Sequence, residues 1–389
     1  MTFFDALETR APEVREAQQL AQLRTIVGSD AGELATLADL QKLPVLRKSD
    51  LTAAQAKKPP FGAIQTQNIT HLFQSPGPIN EPGGTGSDWW RFGRFLHAVG
   101  IGPTDIVQNT FSYHFTPAGM MFDNAAQAVG AKVFAAGTGQ TAQQVHAAAA
   151  FGVTTYAGTP DFLGIILAKA DQLGIDLSSM TKAAVSGGPL FPAVRQGYAD
   201  RGITCLQCYA TADVGLIAYE TPAMDGMILD EGVIVEIVVP GTGIPVEDGD
   251  IGEVLVTSLN PDYPLVRFAT GDMSSFIAGQ SACGRTNRRI SGWKGRADQA
   301  TKVKGMFIRP EQVARVLARH PEISRARVQI GHDGTSDTMI VNLETDSVDA
   351  AAYQTSIVDE LKLRAQVVIV GKGTLPRDGV VIEDQREMG

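Results

Sequence analysis

The chain has 389 residues, with 33 Lys and Arg against 42 Asp and Glu for a net charge of −9, and it is 44% apolar and 19% charged. That length exceeds the roughly 250–300 residues that one hydrophobic core fills, so a large domain and a smaller one are expected. The apolar share excludes a disordered chain, the acidic balance argues against nucleic acid as a partner, and no apolar run approaches the ~20 residues of a membrane helix. Met1–Arg10 lacks the basic start and apolar stretch of a secretory signal, and three cysteines do not make a disulfide framework, so a reducing cytoplasm is the simplest expectation.

In chain order, Trp89–Val99 reads as a helix capped by Asp88 or Ser87, Ile106–Thr110 as a strand, and Ala118–Val129 as a small-residue helix ending at Gly130. Lys132–Ala135 reads as a strand, Thr141–Phe151 as a helix stopped by Gly152, Thr154–Ala157 as a strand and Pro160–Gln172 as a helix. Strands spaced by helices in this way predict a parallel sheet of βαβ units. After Glu220 the pattern changes. The β-rich runs Val233–Val239 and Gly252–Ser258, separated by Pro240–Gly243 and Glu247–Asp250 turns, predict an antiparallel portion. Beyond Gly295, Pro310–Arg319 is an amphipathic helix, Arg325–Ile330 and Thr338–Leu343 are strands about the turn His332–Ser336, and a helix at Ala350–Leu363 and a strand at Gln366–Val370 follow. The fold class expected is α/β, with residues 1–296 as the large domain of parallel subdomains plus an antiparallel portion and residues 297–389 as a small αββαβ domain.

Three segments could carry chemistry. In Arg267-Phe268-Ala269-Thr270-Gly271-Asp272, a carboxylate on a tight glycine loop at a strand end could accept hydrogen bonds from a ribose diol; the alternative is an Arg–Asp pair that stabilises a turn. In Gln207–Asp213, the aromatic Tyr209, the hydroxyl of Thr211 and the carboxylate of Asp213 could stack a base, meet a phosphate and hold Mg²⁺; the alternative is a strand entering a helix capped by Thr211. The glycine-rich Ser75–Ser87 could present amides to an anion, although it matches neither standard phosphate-loop pattern, and a surface loop has the same composition. Cys205 and Cys208 form a C-x-x-C, but strand positions three apart face opposite sides and zinc needs four ligands, so these and Cys283 read as core thiols.

Taken together and in order, Leu43–Leu51, Ser186-Gly187-Gly188-Pro189, Tyr209–Asp213, Thr257–Leu259, Arg267–Asp272, Cys283–Thr286, Gly295-Arg296-Ala297-Asp298 and Thr374–Arg377 resemble the adenylate-forming enzymes, in particular the phenylacetate–CoA ligase branch. The resemblance covers nearly the whole chain. It implies that ATP, with Mg²⁺, converts an aryl or arylacetic acid to an acyl-adenylate and that coenzyme A then displaces AMP. It further implies that Ser186, Gly187, Gly188 and Pro189 line the adenine, that Tyr209 stacks on it beside Ala210, and that Thr211 approaches the phosphate. By the same likeness Asp213, where the usual pattern has Glu, binds Mg²⁺, and Asp272 holds the ribose. Arg296 and the hinge Asp298 are where the small domain would turn, and Lys304 lies on the loop beyond. Ser75 and Gly77 fall in the phosphate loop, and Phe111, Tyr113, His114 and Phe115 where the acyl pocket begins. A packed or loop role for His114 is equally compatible with the sequence. Dimerisation is a family expectation, and no membrane is implied.

Two departures stand out. The usual S-S-G-T-T-G-K-P loop is here Ser75-Pro76-Gly77-Pro78-Ile79-Asn80-Glu81-Pro82, with a carboxylate in the lysine position, so that either Glu81 points away, or Gly83–Ser87 takes over the cradle, or ATP is not bound productively; a rearranged loop is favoured. After Leu375-Pro376-Arg377 the run is one residue short and Val380 stands where a lysine is expected, with Lys372 a poor substitute in register. Valine supplies no charge to the phosphate, so a slow adenylation step is expected. A catalytically degenerate homologue that binds a nucleotide or acyl-adenylate, and a ligase that acylates a carrier protein, are the alternatives.

Overall fold

Short apolar strands alternate with helices from Ile106 to Thr211, and in the computed structural model they form one parallel array. The structure describes residues 2–28, 34–76, 78–84, 86–297, 299, 301–303, 306–332, 337–347 and 350–386, less the side chains of 302, 307 and 332. Gly77, Asp298, Lys304 and the turn 333–336 lie outside the described residues.

The strands run side by side in the order Lys132–Ala135, Ile106–Asn109, Thr155–Gly158, Lys182–Val185 and Thr204–Thr211, all parallel. Gly215–Glu220, Met227–Leu229 and Arg289–Ile290 then extend the sheet antiparallel. Alternate strand residues feed two cores, because successive side chains leave opposite faces. Ala157, Ala184 and Leu206 join Phe92, Phe95, Met121 and Phe122 on one side, while Tyr156, Ala183, Val185 and Cys205 join Val145, Leu163, Ile166 and Tyr198 on the other. Helix Pro160–Leu173 illustrates the local cause. Proline opens it, Gly174 at φ 65° closes it, and Leu163, Ile166, Leu167 and Ala170 repeat at helical spacing and are buried. Each such Leu or Ile contributes about 2 kcal/mol by leaving water.

The helix expected from Trp89 starts instead at Gly93 and runs to Val99. Asp88 and Arg91 adopt φ 52° and 68°, outside the right-handed helical region. The Asp88 carboxylate accepts from the Gly93 N–H at 2.8 Å, and Arg91 is drawn to Asp230 at 2.8 Å and to the Val214 carbonyl at 2.7 Å. A second difference is a hairpin of His71–Ser75 and Ile79–Gly83, which occupies the segment expected to be a glycine-rich loop.

By internal packing the chain divides into two units, Met1–Val235 with Val256–Phe268 and Ile277–Trp293, and Glu236–Leu255 with Ala269–Phe276 and Lys294–Gly389. In the second unit, Gln366–Val370, Asp337–Glu344, Arg325–His332 and Ile382–Asp384 form a four-stranded sheet in that order. The central pair is antiparallel and the outer strands pair parallel to their neighbours. Helices Pro310–Arg319 and Ala350–Leu361 contribute Val313, Val316, Tyr353 and Ile357 to its core. The αββαβ unit thus gains an edge strand, Ile382–Asp384, which is too short to give a sequence pattern. Among the described residues no helix is long and apolar enough to cross a membrane.

Candidate active site

In the parallel array the strand order reverses between Ile106–Asn109 and Thr155–Gly158, and the carboxyl ends at such a reversal leave a crevice suited to a ligand. The loops leaving those ends are the ones the sequence singles out. Phe111 stacks on Phe122 with centroids 4.7 Å apart, the Tyr113 hydroxyl accepts from Asn109 Nδ2 at 2.9 Å, and His114 and Phe115 are exposed. The next strand, Lys182–Val185, ends at Ser186–Pro189. A Cβ on Gly187 would lie 3.6 Å from both Phe111 and Thr159, and the Ser186 hydroxyl donates to the Cys208 carbonyl at 3.2 Å. The residues expected to line an adenine and those expected to line an acyl group are therefore neighbours at one end of the sheet.

Strand Thr204–Thr211 ends there too, with an irregularity in its pairing at Tyr209 and Ala210. It does not run into a helix capped by Thr211. The Thr211 hydroxyl accepts from the Val214 N–H at 3.2 Å, Gly215 turns at φ 83°, and the chain returns as an antiparallel strand. Asp213, at this turn, is 8% exposed. One of its oxygens lies 3.3 Å from Lys48 Nζ, and the other, Oδ1, is buried without a hydrogen-bond partner among the described residues. Lys48 Nζ also stands 5.7 Å from the centre of the Phe268 ring.

Glu81 does not point to solvent. It is 1% exposed, its Oε2 accepts from the Ser75 N–H at 3.1 Å, and burial, with the Asp213 charge second, pushes its carboxyl up to about 7. The buried hydroxyl of Tyr263 has no hydrogen bond of normal geometry among the described residues, and burial, together with the Asp213 and Glu81 charges, pushes that phenol up. An unsatisfied carboxylate oxygen among oxygen donors fits the divalent cation expected at Asp213, since Mg²⁺ takes hard oxygen ligands. Lys48, Glu81, Gln55 and Tyr263 complete this group, and the sequence assigned no role to Lys48, Gln55 or Tyr263. The signal for Lys48 was at hand, a basic residue within the Leu43–Leu51 motif.

In the second unit Asp272 pairs with Arg296 at 2.8 Å, and the two residues form an isolated antiparallel bridge. Arg267, in the first unit, has a buried guanidinium that donates to the Leu43 carbonyl at 2.7 Å. Val380 donates its N–H to Asp378 at 3.0 Å and lines a cavity of about 230 Å³, while Arg377 pairs with Asp250 at 3.0 Å. Lys372 is engaged by Asp346 at 2.9 Å. All three cysteines are buried, and burial pushes the thiols of Cys205 and Cys208 up to about 12. Among the described residues no group of three or more His, Cys, Asp or Glu side chains is arranged to hold a metal.

The fold is shared with solved CoA ligases. An open 2-hydroxyisobutyryl-CoA ligase in complex with 2-HIB-AMP and CoA superposes with a TM-score of 0.70 and 22% identity over 95% of this chain and 91% of that one. In sequence the chain is similar to phenylacetate–coenzyme A ligases. It is 27% identical to the Escherichia coli enzyme over 380 residues, covering 90% of this chain and 85% of the relative. The Aromatoleum evansii enzyme is 26% identical over 335 residues, 82% of this chain and 74% of that protein. No family model matches the chain.

Proposed function

We propose that this chain is an acid–thiol ligase that activates an aryl or arylacetic acid with ATP and passes the acyl group to coenzyme A. The observation that carries the reading is the similarity to the E. coli phenylacetate–coenzyme A ligase across 90% of the chain. In the first step a carboxylate oxygen of the acid attacks the α-phosphorus, the α–β phosphoanhydride bond breaks, and pyrophosphate leaves. In the second, a CoA thiolate attacks the acyl carbon and AMP departs with the bonding electrons. Residues 111–115 would accept the acid, Phe111 offering an aromatic wall and Tyr113 a phenol. Ser186–Pro189, Tyr209 and Ala210 would line the adenine, Thr211 would donate its hydroxyl to a phosphate oxygen, and the Asp272 carboxylate would accept both ribose hydroxyls beside Arg296. Bound Mg²⁺ neutralises charge on the phosphates. Asp298 as hinge and Lys304 beyond it belong to the same reading. A dimer, expected from the same likeness, is checked by the mass in solution.

The test is pyrophosphate release and acyl-CoA formation over a panel of aromatic acids. At least one acid is expected to give its CoA thioester, and Val380→Lys to accelerate the adenylation step by about tenfold or more, the usual worth of one charge on a developing oxyanion. A second reading, a homologue that binds a nucleotide or acyl-adenylate without turnover, is favoured by Glu81 and Val380. AMP binding with no product from any acid, in the wild type and in Val380→Lys alike, would select it.

A further inference from the structure

Tyr156, on the strand Thr155–Gly158, is 0% exposed, yet it carries a hydroxyl into a core built largely from aliphatic residues such as Val145, Leu163, Ile166 and Leu167. A phenylalanine would fill the same space with no polar atom to satisfy, so the hydroxyl needs a reason of its own. Its partners lie at the two strand ends that flank the reversal. It donates to the Thr159 carbonyl at 2.9 Å, and the Thr110 hydroxyl stands 3.0 Å from it and 3.0 Å from the Ala157 carbonyl, its proton shared between them. The ring can lie along its own strand only because Gly158, two residues on and so on the same face, has no side chain. A Cβ there would fall 2.0 Å from Thr110 Oγ1 and 2.2 Å from the Tyr156 hydroxyl. The next carbonyl, that of Pro160, accepts from the Tyr198 hydroxyl at 2.5 Å, and a Cβ on Gly164 would come within 3.2 Å of that same hydroxyl.

We propose that Tyr156 is a positioning residue for the bound acid: through Thr110 and Thr159 it fixes the spacing of two walls that meet at Gly187. Thr110 is the residue before Phe111 in the chain. Phe111 Cε1 and Thr159 Cγ2 each lie 3.6 Å from the point that a Gly187 Cβ would occupy, so they are within twice that distance of each other. Thr159 thus joins Phe111 as a wall residue, and the hydroxyl of Tyr156 ties the segment that carries one wall to the segment that carries the other. A fully satisfied polar network inside an apolar core holds one geometry, which packing of smooth side chains does less strictly. Contact with a ligand is sensitive to that geometry. Van der Waals attraction fades within 1 Å of extra separation, and a misplacement of about 1 Å can cost on the order of 100-fold in rate. Tyr156 and Thr110 act through Phe111 and Thr159, not by touching the acid. The clamp follows from the distances alone; that its object is an acid rests on the ligase reading.

Steady-state kinetics of the full chain, with hydrogen–deuterium exchange on the same samples, tests it. Tyr156→Phe and Thr110→Val each remove one hydroxyl and keep the shape. Both should raise the exchange rate of segments 110–115 and 158–160 several-fold. Both should also raise the acid KM by about tenfold, while the KM for ATP and for CoA stays within about twofold. Thr110→Ser, which keeps the hydroxyl, should recover most of that loss. A residue that only stabilises the core would lower the thermal midpoint and the amount of active protein without singling out one substrate. Unchanged exchange in Tyr156→Phe, a KM rise shared equally by acid, ATP and CoA, or a Thr110→Ser variant as impaired as Thr110→Val would each overturn the proposal. A wild type that makes no acyl-CoA from any aromatic acid would overturn the ligase reading and, with it, the role given to the clamp; the exchange data tell that failure apart from a clamp that does not exist.

Discussion

Glu8 and Arg285 are each 1 to 2% exposed, joined at 2.5 Å, with the Tyr219 hydroxyl donating to the same carboxylate at 2.7 Å. The guanidinium also faces the rings of Phe3 and Tyr219. Removing one partner of such a pair leaves the other charge buried and alone, so Glu8→Ala is expected to destabilise the protein by about 3–5 kcal/mol in denaturant unfolding. A change under about 1 kcal/mol would place the pair among weak surface bridges. Residue types alone do not reveal this pair, since Glu8 and Arg285 lie at opposite ends of the large unit's sequence. Tyr263 was missed for the same reason: its meaning comes from the partners that folding brings to it. Asp213 and Asp272 were singled out in the sequence because each sits in a short run of aromatic, hydroxyl, glycine or acidic residues that matches a motif of the family it resembles.

At the scale of elements, the turn before helix Gly93–Val99 is held by Asp88. Burial pushes the Asp88 carboxyl up to about 7, with Asp230 adding to the rise while the Gly93 N–H, Arg91 and Arg94 oppose it. Between the unfolded value near 4 and about 7 the folded protein therefore holds a proton that the unfolded chain has released, so stability falls as pH rises through that window. The loss runs at up to about 1.4 kcal/mol per pH unit for one proton and levels off above the folded value. Asp88→Asn is expected to reduce this slope between pH 5 and 7 in thermal or urea unfolding, a range of about two units set by those values, leaving the part that Glu81, also raised to about 7, contributes; an unchanged slope would refute the assignment. The helix start itself was misread because the apolar run from Trp89 has helical spacing, while the left-handed turns at Asp88 and Arg91 depend on Gly93 and Asp230. The hairpin His71–Ser75/Ile79–Gly83 was hidden by its prolines and glycines, which read locally as loop. The central strands and helices from Ile106 to Leu173 were legible because burial on both faces of a parallel sheet imposes apolar runs with helical segments between them.

For the whole molecule, the strand reversal at Asn109 and Gly158 assembles loops 111–115 and 186–189 with the end of strand Thr204–Thr211, so the sheet topology explains why motifs distant in sequence lie together. Composition and order of elements carried the fold class, whereas the departures at Glu81 and Val380 concern single side chains whose consequence depends on neighbours. The central claim is that this chain binds an adenosine nucleotide by its ribose at Asp272. Calorimetric titration of AMP into the full-length wild type and Asp272→Ala measures it, with the thermal midpoint as the check on folding. The ribose hydroxyls bond to a charged acceptor, so affinity is expected to fall by about tenfold or more in the variant. An Asp272→Ala protein that folds and binds AMP as tightly as the wild type would contradict the account.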